Sequence, residues 1–181
     1  QVSVTYEHPE EVWPGALPKF DPAVLPRTTG RLQRGQSLSV VLLGDSISTG
    51  CNASGWAGVA PFQPPYQDLL LQHLQAGRAG KVSLTNLAVG GTSTPWGLTR
   101  VSEVVAAKPD LVLLAFGMND SAGRPVSEYR SNMAEMLRLI REGAPETEFI
   151  LIATMRGNAD WVTLKQELFD GYRDALQELT G

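Results

Sequence analysis

Two rhythms of apolar residues alternate along this chain. Short strand-like runs at Leu38 to Leu43, Val82 to Leu87, Leu111 to Phe116 and Phe149 to Ala153 predict four strands. They are too short to span a membrane, and their β-branched, leucine-rich character suits parallel strands covered on both faces. Between them the spacing changes to that of helices. Tyr66, Leu69, Leu70, His73 and Leu74 share one helical face, introduced by Pro64-Pro65 and ended by Gly77 and Gly80. Trp96 to Ala107 predicts a second helix, stopped by Pro109-Asp110. Tyr129, Met133, Met136, Leu137 and Ile140 form a third stripe, closed by Gly143 and Pro145. Leu164, Leu168, Tyr172, Ala175, Leu176 and Leu179 are the expected core face of a last helix.

Repeated βα units of this length imply a parallel sheet with right-handed crossovers and helices on both faces. The expected fold class is α/β, a three-layer α/β/α sandwich occupying residues 38–181. Residues 1–37 read differently. Pro9, Pro14, Pro18, Pro22 and Pro26 recur at near-regular spacing, which predicts an extended strap or linker and not a helix. Within it Val2, Val4 and Tyr6 alternate like an edge strand, and Trp13, Leu17 and Phe20 are expected to anchor the strap on the main domain.

Composition narrows the function classes. The chain has 181 residues, 43% apolar and 19% charged, which are globular values and enough for one domain with a sizeable core. A net charge of −4 with scattered Lys and Arg gives no reason to expect nucleic acid. No stretch reaches the length of a membrane helix, so no membrane partner is expected. With Cys51 as the sole cysteine and two distant histidines, His8 and His73, neither a disulfide framework nor a metal site is expected. Residues 1–20 lack the pattern of a signal peptide. Gln1 in place of Met leads us to expect a preceding segment. If that included a removed leader, the protein would be extracellular or periplasmic.

The chemistry gathers at the strand ends. In a parallel sheet each strand delivers its carboxyl-end loop to one rim, where open α/β sheets bind ligands. Here the first loop is Gly44-Asp45-Ser46 and the second runs from Ala88 through Gly90-Gly91 to Thr94. The third is Gly117-Met118-Asn119-Asp120. A hydroxyl, a glycine-rich loop with free N–H groups and a side-chain amide are therefore expected at one site. Those are the parts of an acyl-transfer centre: a nucleophile, and donors aimed at an oxyanion. Each has a plainer reading too. Ser46 could be a turn residue, Asn119 an Asx-turn, and Gly90-Gly91 a device for positive φ or close packing. Asp45 and Asp120 are expected to fix loops by hydrogen bonding, and His73 to be structural.

Gly44-Asp45-Ser46-Ile47, Asn86 through Gly91, and Gly117-Met118-Asn119-Asp120 resemble the first three sequence blocks of the SGNH (GDSL-type) esterases. The resemblance covers residues 38 to 179 and is nearest to the carbohydrate-esterase-like members. It implies a flavodoxin-like SGNH hydrolase fold and a serine esterase acting through an acyl-enzyme, with no metal or organic cofactor. Carried over by position, it makes Ser46 the nucleophile, with its own N–H, Gly91 N–H and the Asn119 amide as oxyanion donors. Acetyl esters on carbohydrate are the implied substrates, with short-chain lipid esters next. The family's fourth block, Asp-x-x-His after a fifth strand, has no counterpart in this sequence, so a last strand and helix are expected to be missing. Without that block there is a nucleophile but no base, unless His8 crosses the rim. The alternative function is a non-catalytic carbohydrate-binding remnant of such an esterase. Trp56, Trp96 and Trp161 fall near the rim, where they could stack on sugar rings or pack the loops down. Arg156 could meet a polar substrate or an acidic loop residue.

Overall fold

A computed structural model of the chain describes residues 19–160 and 162–180. Its centre is a four-stranded, all-parallel sheet in the order β2-β1-β3-β4. The strands are β1 (Leu38–Gly44), β2 (Val82–Asn86), β3 (Leu111–Ala115) and β4 (Glu148–Leu151). Period-two alternation decides which side chains face each layer. On one face Val41, Leu43, Val112, Leu114 and Phe116 pack into the larger core. That layer is covered by α4 (Thr94–Thr99), α5 (Val101–Ala106), α6 (Val126–Gly143) and α7 (Gln166–Glu178). On the other face Leu38, Val40, Leu42, Leu111 and Leu113 meet Leu25 and Leu32 around α1 (Pro26–Gln33), and Leu70, Leu71 and Leu74 of α3 (Tyr66–Gln75). The three-layer α/β/α architecture is thus the observed one.

The long stripe on α6 is buried as its spacing requires: Tyr129, Met133, Met136, Leu137 and Ile140 are all inside. On α7 the buried residues are Phe169, Tyr172, Ala175 and Leu176. Leu168 and Leu179 pack at the margin of the same core, and Leu164 precedes the helix. Tyr172 stacks on Tyr129 with ring centroids 4.2 Å apart. Its hydroxyl donates to the Arg124 carbonyl at 2.6 Å, locking α7 to the start of α6.

Four expectations are corrected. Residues 26–33 are a helix and not extended strap. Pro26 is tolerated because it sits in the first turn, where its missing N–H would have no partner anyway. Phe20 does not anchor the strap, being 78% exposed. The single helix expected over Trp96 to Ala107 is two, broken at Arg100. There Thr99 Oγ1 donates to the Trp96 carbonyl at 2.7 Å, and Arg100 N–H bonds Gly97 three residues back. His73 lies exposed on α3, because Tyr66, Leu70, Leu71 and Leu74 take the inward face instead of the stripe through Leu69. Val2, Val4, Tyr6, His8, Trp13, Leu17 and Trp161 lie outside the described residues.

The chain leaves β1 toward β2 through α3 on one face, and reaches β3 through α4 and α5 on the other. The carboxyl ends of β1 and β3 therefore flank the point where the winding reverses, the usual crevice of open α/β sheets.

Candidate active site

Ser46 opens α2 (Ser46–Thr49), a single turn that begins two residues after β1 ends. Asp45 makes that start possible. Its carboxylate caps the turn, accepting from Ile47 N–H at 3.0 Å, and Gly50 closes it in the left-handed region. Gly44 leaves no room for a side chain, since a Cβ there would lie 2.7 Å from both the Ala115 carbonyl and Ser48 Oγ. These constraints fix the nucleophile candidate at the rim, half-buried, with Ser46 N–H unengaged among the described residues.

The second loop folds back over the first. Val89 N–H donates to the Gly44 carbonyl at 3.1 Å, and a Cβ on Gly90 would stand 3.7 Å from the Ser46 Cβ. Gly91 follows at φ +77°, with open space around it and an N–H unengaged among the described residues. Positive φ is the conformation glycine adopts without steric cost. Asn86, at the end of β2, joins this loop to α2 by donating from Nδ2 to the Ser48 carbonyl at 2.7 Å and accepting from Ala88 N–H.

Asn119 brings in the third loop. Its Nδ2 donates to the Thr92 carbonyl at 2.7 Å, so one amide hydrogen anchors the second loop and the other has no partner among the described residues. The plainer Asx-turn reading accounts for none of this bond, which crosses between loops. Asp120 is buried and structural, as expected of it. It accepts from Thr94 N–H at 3.2 Å, Thr94 Oγ1 at 2.6 Å and Arg124 Nε at 2.6 Å, and Asn132 Nδ2 supports Thr94 Oγ1 at 3.1 Å. Sequence reasoning missed Thr92, Thr94 and Asn132. Their polar character gave no sign of partners on other elements.

Burial pushes the Asp45 carboxyl up from its ordinary value, the Ile47 N–H bond opposes this, and nearby Asp120 adds to the rise. Tyr66 is raised chiefly by burial, and its hydroxyl shares a 2.8 Å hydrogen bond with Ser48 Oγ. At the carboxyl ends of β1, β3 and β4 lies a mostly apolar pocket of about 250 Å³, lined by Ile47, Tyr66, Ala115, Ile152 and Met155 among others.

No histidine stands beside Ser46 among the described residues: His73 is on the exposed side of α3. Arg156 pairs with Asp170 of α7, which answers the question of its partner. Trp96 is half-buried with the Arg100 guanidinium 5.4 Å from its ring centroid, whereas Trp56 stands exposed. Among the described residues no cluster of His, Cys, Asp and Glu could hold a metal ion, and no helix is long and apolar enough to cross a membrane.

Residues 42–181 match the GDSL-like lipase/acylhydrolase family. Among solved structures the chain is similar to a lipase/acylhydrolase from Enterococcus faecalis, with 28% identity and a TM-score of 0.64 over 78% of this chain and 70% of that one. It shares its fold with Axe2, an acetylxylan esterase from Geobacillus stearothermophilus, at 19% identity and TM-score 0.59, covering 80% and 72% of the two chains. It also shares its fold with a two-domain esterase active on acetylated mannans, at 16% identity and TM-score 0.66, over 87% of this chain but 39% of that one. No curated protein matches the sequence.

Proposed function

From the premise that this chain belongs to the GDSL-like lipase/acylhydrolase family, we propose that it is a serine esterase working through an acyl-enzyme on Ser46. Ser46 Oγ attacks the ester carbonyl, forming the C–O bond as its proton passes to a base. Ser46 N–H, Gly91 N–H and the free Asn119 amide hydrogen stabilise the oxyanion of the tetrahedral intermediate. The C–O bond to the alcohol then breaks, and the alcohol departs with the proton. Water attacks the acyl-enzyme, the base again takes the proton, and the acid leaves with Ser46 restored.

The observation that carries this reading is the meeting of three loops. The Gly90 Cβ position lies 3.7 Å from Ser46, and Asn119 Nδ2 lies 2.7 Å from Thr92 of the same glycine-rich loop. No metal or organic cofactor enters the reaction as proposed. The base is a histidine oriented by an acid. It comes from outside the described residues, since His73 is exposed near the end of α3 that meets the start of β2, opposite the strand ends that carry Ser46. Acetyl esters on carbohydrate are the preferred substrates, in keeping with relatives of this fold that act on acetylated xylan and mannan.

A second reading, a carbohydrate-binding domain without turnover, draws on the lack of a histidine beside Ser46 among the described residues. Hydrolysis of p-nitrophenyl acetate by the intact protein separates the two. The esterase reading predicts turnover that falls to background in Ser46→Ala. Equal rates with and without the hydroxyl remove Ser46 as the nucleophile, and sugar binding with no turnover favours the second reading.

A further inference from the structure

The segment between α2 and α3, residues 50–65, turns two aromatic side chains outward: Trp56 is 59% exposed and Phe62 63%. The loop is nevertheless well tied. Gly55 N–H donates to the Gln63 carbonyl at 2.9 Å, Gln63 N–H to Ser54 Oγ at 2.8 Å, and Phe62 N–H to the Val59 carbonyl at 2.9 Å. Phe62 itself sits at φ +57°, where bulky side chains are rare. A side chain at Gly55 would run into the Gln63 backbone, with its Cβ 2.8 Å from the carbonyl oxygen. The rings are therefore presented by a defined backbone.

Trp56 and Phe62 line one open cleft of about 450 Å³ together with Thr49, Gln67, Asp68 and Asn86. Aromatic faces and hydrogen-bonding groups share its wall. An alkyl chain bound there would take water from the exposed Asp68 carboxylate and give it no partner in return. Asp68 carries the argument further. It is exposed, and its carboxylate has no hydrogen-bond or ion-pair partner among the described residues. A free carboxylate in the wall of a cleft is an acceptor for hydroxyl donors. The cleft is also joined to the turn that bears the nucleophile. Thr49 Oγ1 donates to the Ser46 carbonyl at 2.7 Å, and Asn86 Nδ2 to the Ser48 carbonyl at 2.7 Å.

We propose that this cleft is a sugar subsite: a pyranose ring of a carbohydrate ester stacks on Trp56 while its hydroxyl groups bond Asp68 and Asn86. A sugar ring offers a C–H face and a hydroxyl edge, and the cleft offers the complement of each. The role of the cleft in hydrolysis rests on the esterase reading of Ser46, which would act on the adjoining, ester-bearing unit. The binding does not, and it is measured separately.

The experiment is isothermal titration of an O-acetylated xylotetraose and an O-acetylated mannotetraose into the Ser46→Ala protein, with and without Trp56→Ala. At least one sugar binds Ser46→Ala, Trp56→Ala raises its Kd about tenfold or more, and Trp56→Phe restores most of the affinity. Trp56 is exposed, so an unchanged thermal midpoint in both Trp56 variants shows the fold intact. Unaltered affinity in Trp56→Ala, or no binding of either sugar to Ser46→Ala, overturns the subsite. Because affinity is read in a protein without the nucleophile, a failure of the esterase reading would appear only in the Ser46 turnover assay.

Discussion

Ser46 and Asn119 are polar residues whose value comes from what their neighbours are prevented from doing. Asp45 occupies Ile47 N–H and leaves Ser46 N–H unengaged, and Thr92 uses one Asn119 amide hydrogen while the other remains. Asn119→Ala in the intact protein is expected to lower kcat about 10²–10³-fold, the usual cost of one oxyanion donor, with a much smaller effect on KM. Steady-state kinetics with p-nitrophenyl acetate checks this, and a change confined to KM would make Asn119 a loop tether only. The places of Ser46, Gly91 and Asn119 in the loops after the strands were readable because glycine, serine and asparagine at strand ends carry local signals. The partners of Thr94 and Asn132 were not, because the bonds of Thr94 to Asp120 and of Asn132 to Thr94 join elements far apart in the chain. Local pattern holds no record of such pairings.

Elements repeat the lesson at larger size. The α6 stripe was legible because five large apolar residues follow one period without competition. In α3 the run Leu69-Leu70-Leu71 offers two stripes, and the sheet takes the one through Leu71, which leaves His73 outside. In α1 prolines masked a helix with little apolar content, held on by Leu25, Leu32 and a polar clamp. That clamp is Glu148 at the start of β4, which accepts from Thr28 N–H at 2.6 Å and Arg27 N–H at 2.9 Å. Burial alone would raise the Glu148 carboxyl, but the hydrogen bonds from Thr28 and Arg27 outweigh it and hold it below its ordinary 4.5. A carboxylate lowered on folding adds stability above its unfolded value, and that stability is lost as pH falls through the lowered value. Urea unfolding should therefore find Glu148→Gln less stable than the parent at pH 7, with the gap closing below about pH 4. A gap independent of pH would mean that the charge contributes nothing to docking α1.

For the molecule as a whole, β4 is an edge strand of the sheet, with β3 as its one neighbour among the described residues. Glu148 N–H and Ile152 N–H point to β3, so the N–H groups of Phe149 and Leu151 alternate outward with no strand beside them. A groove follows this edge, walled by Leu25, Leu137, Phe149, Leu151 and Leu179. Exposed edges recruit other strands, so the 181-residue chain is expected to self-associate with rising concentration in sedimentation velocity. A single monomeric species throughout would show the edge to be protected. The architecture at this scale was legible in the alternation of strand and helix, whereas the order β2-β1-β3-β4 was not, because strand pairing joins segments far apart in the chain. That the three rim loops lie close enough to grip one carbonyl group was an expectation only, and it is the claim on which the esterase account stands. A crystal structure of the intact protein after reaction with an alkyl fluorophosphonate tests it most directly. The account predicts phosphorus bonded to Ser46 Oγ and its oxygen within about 3 Å of Ser46 N, Gly91 N and Asn119 Nδ2. An adduct on another residue, or a phosphonyl oxygen turned away from Gly91 and Asn119 into solvent, would contradict it.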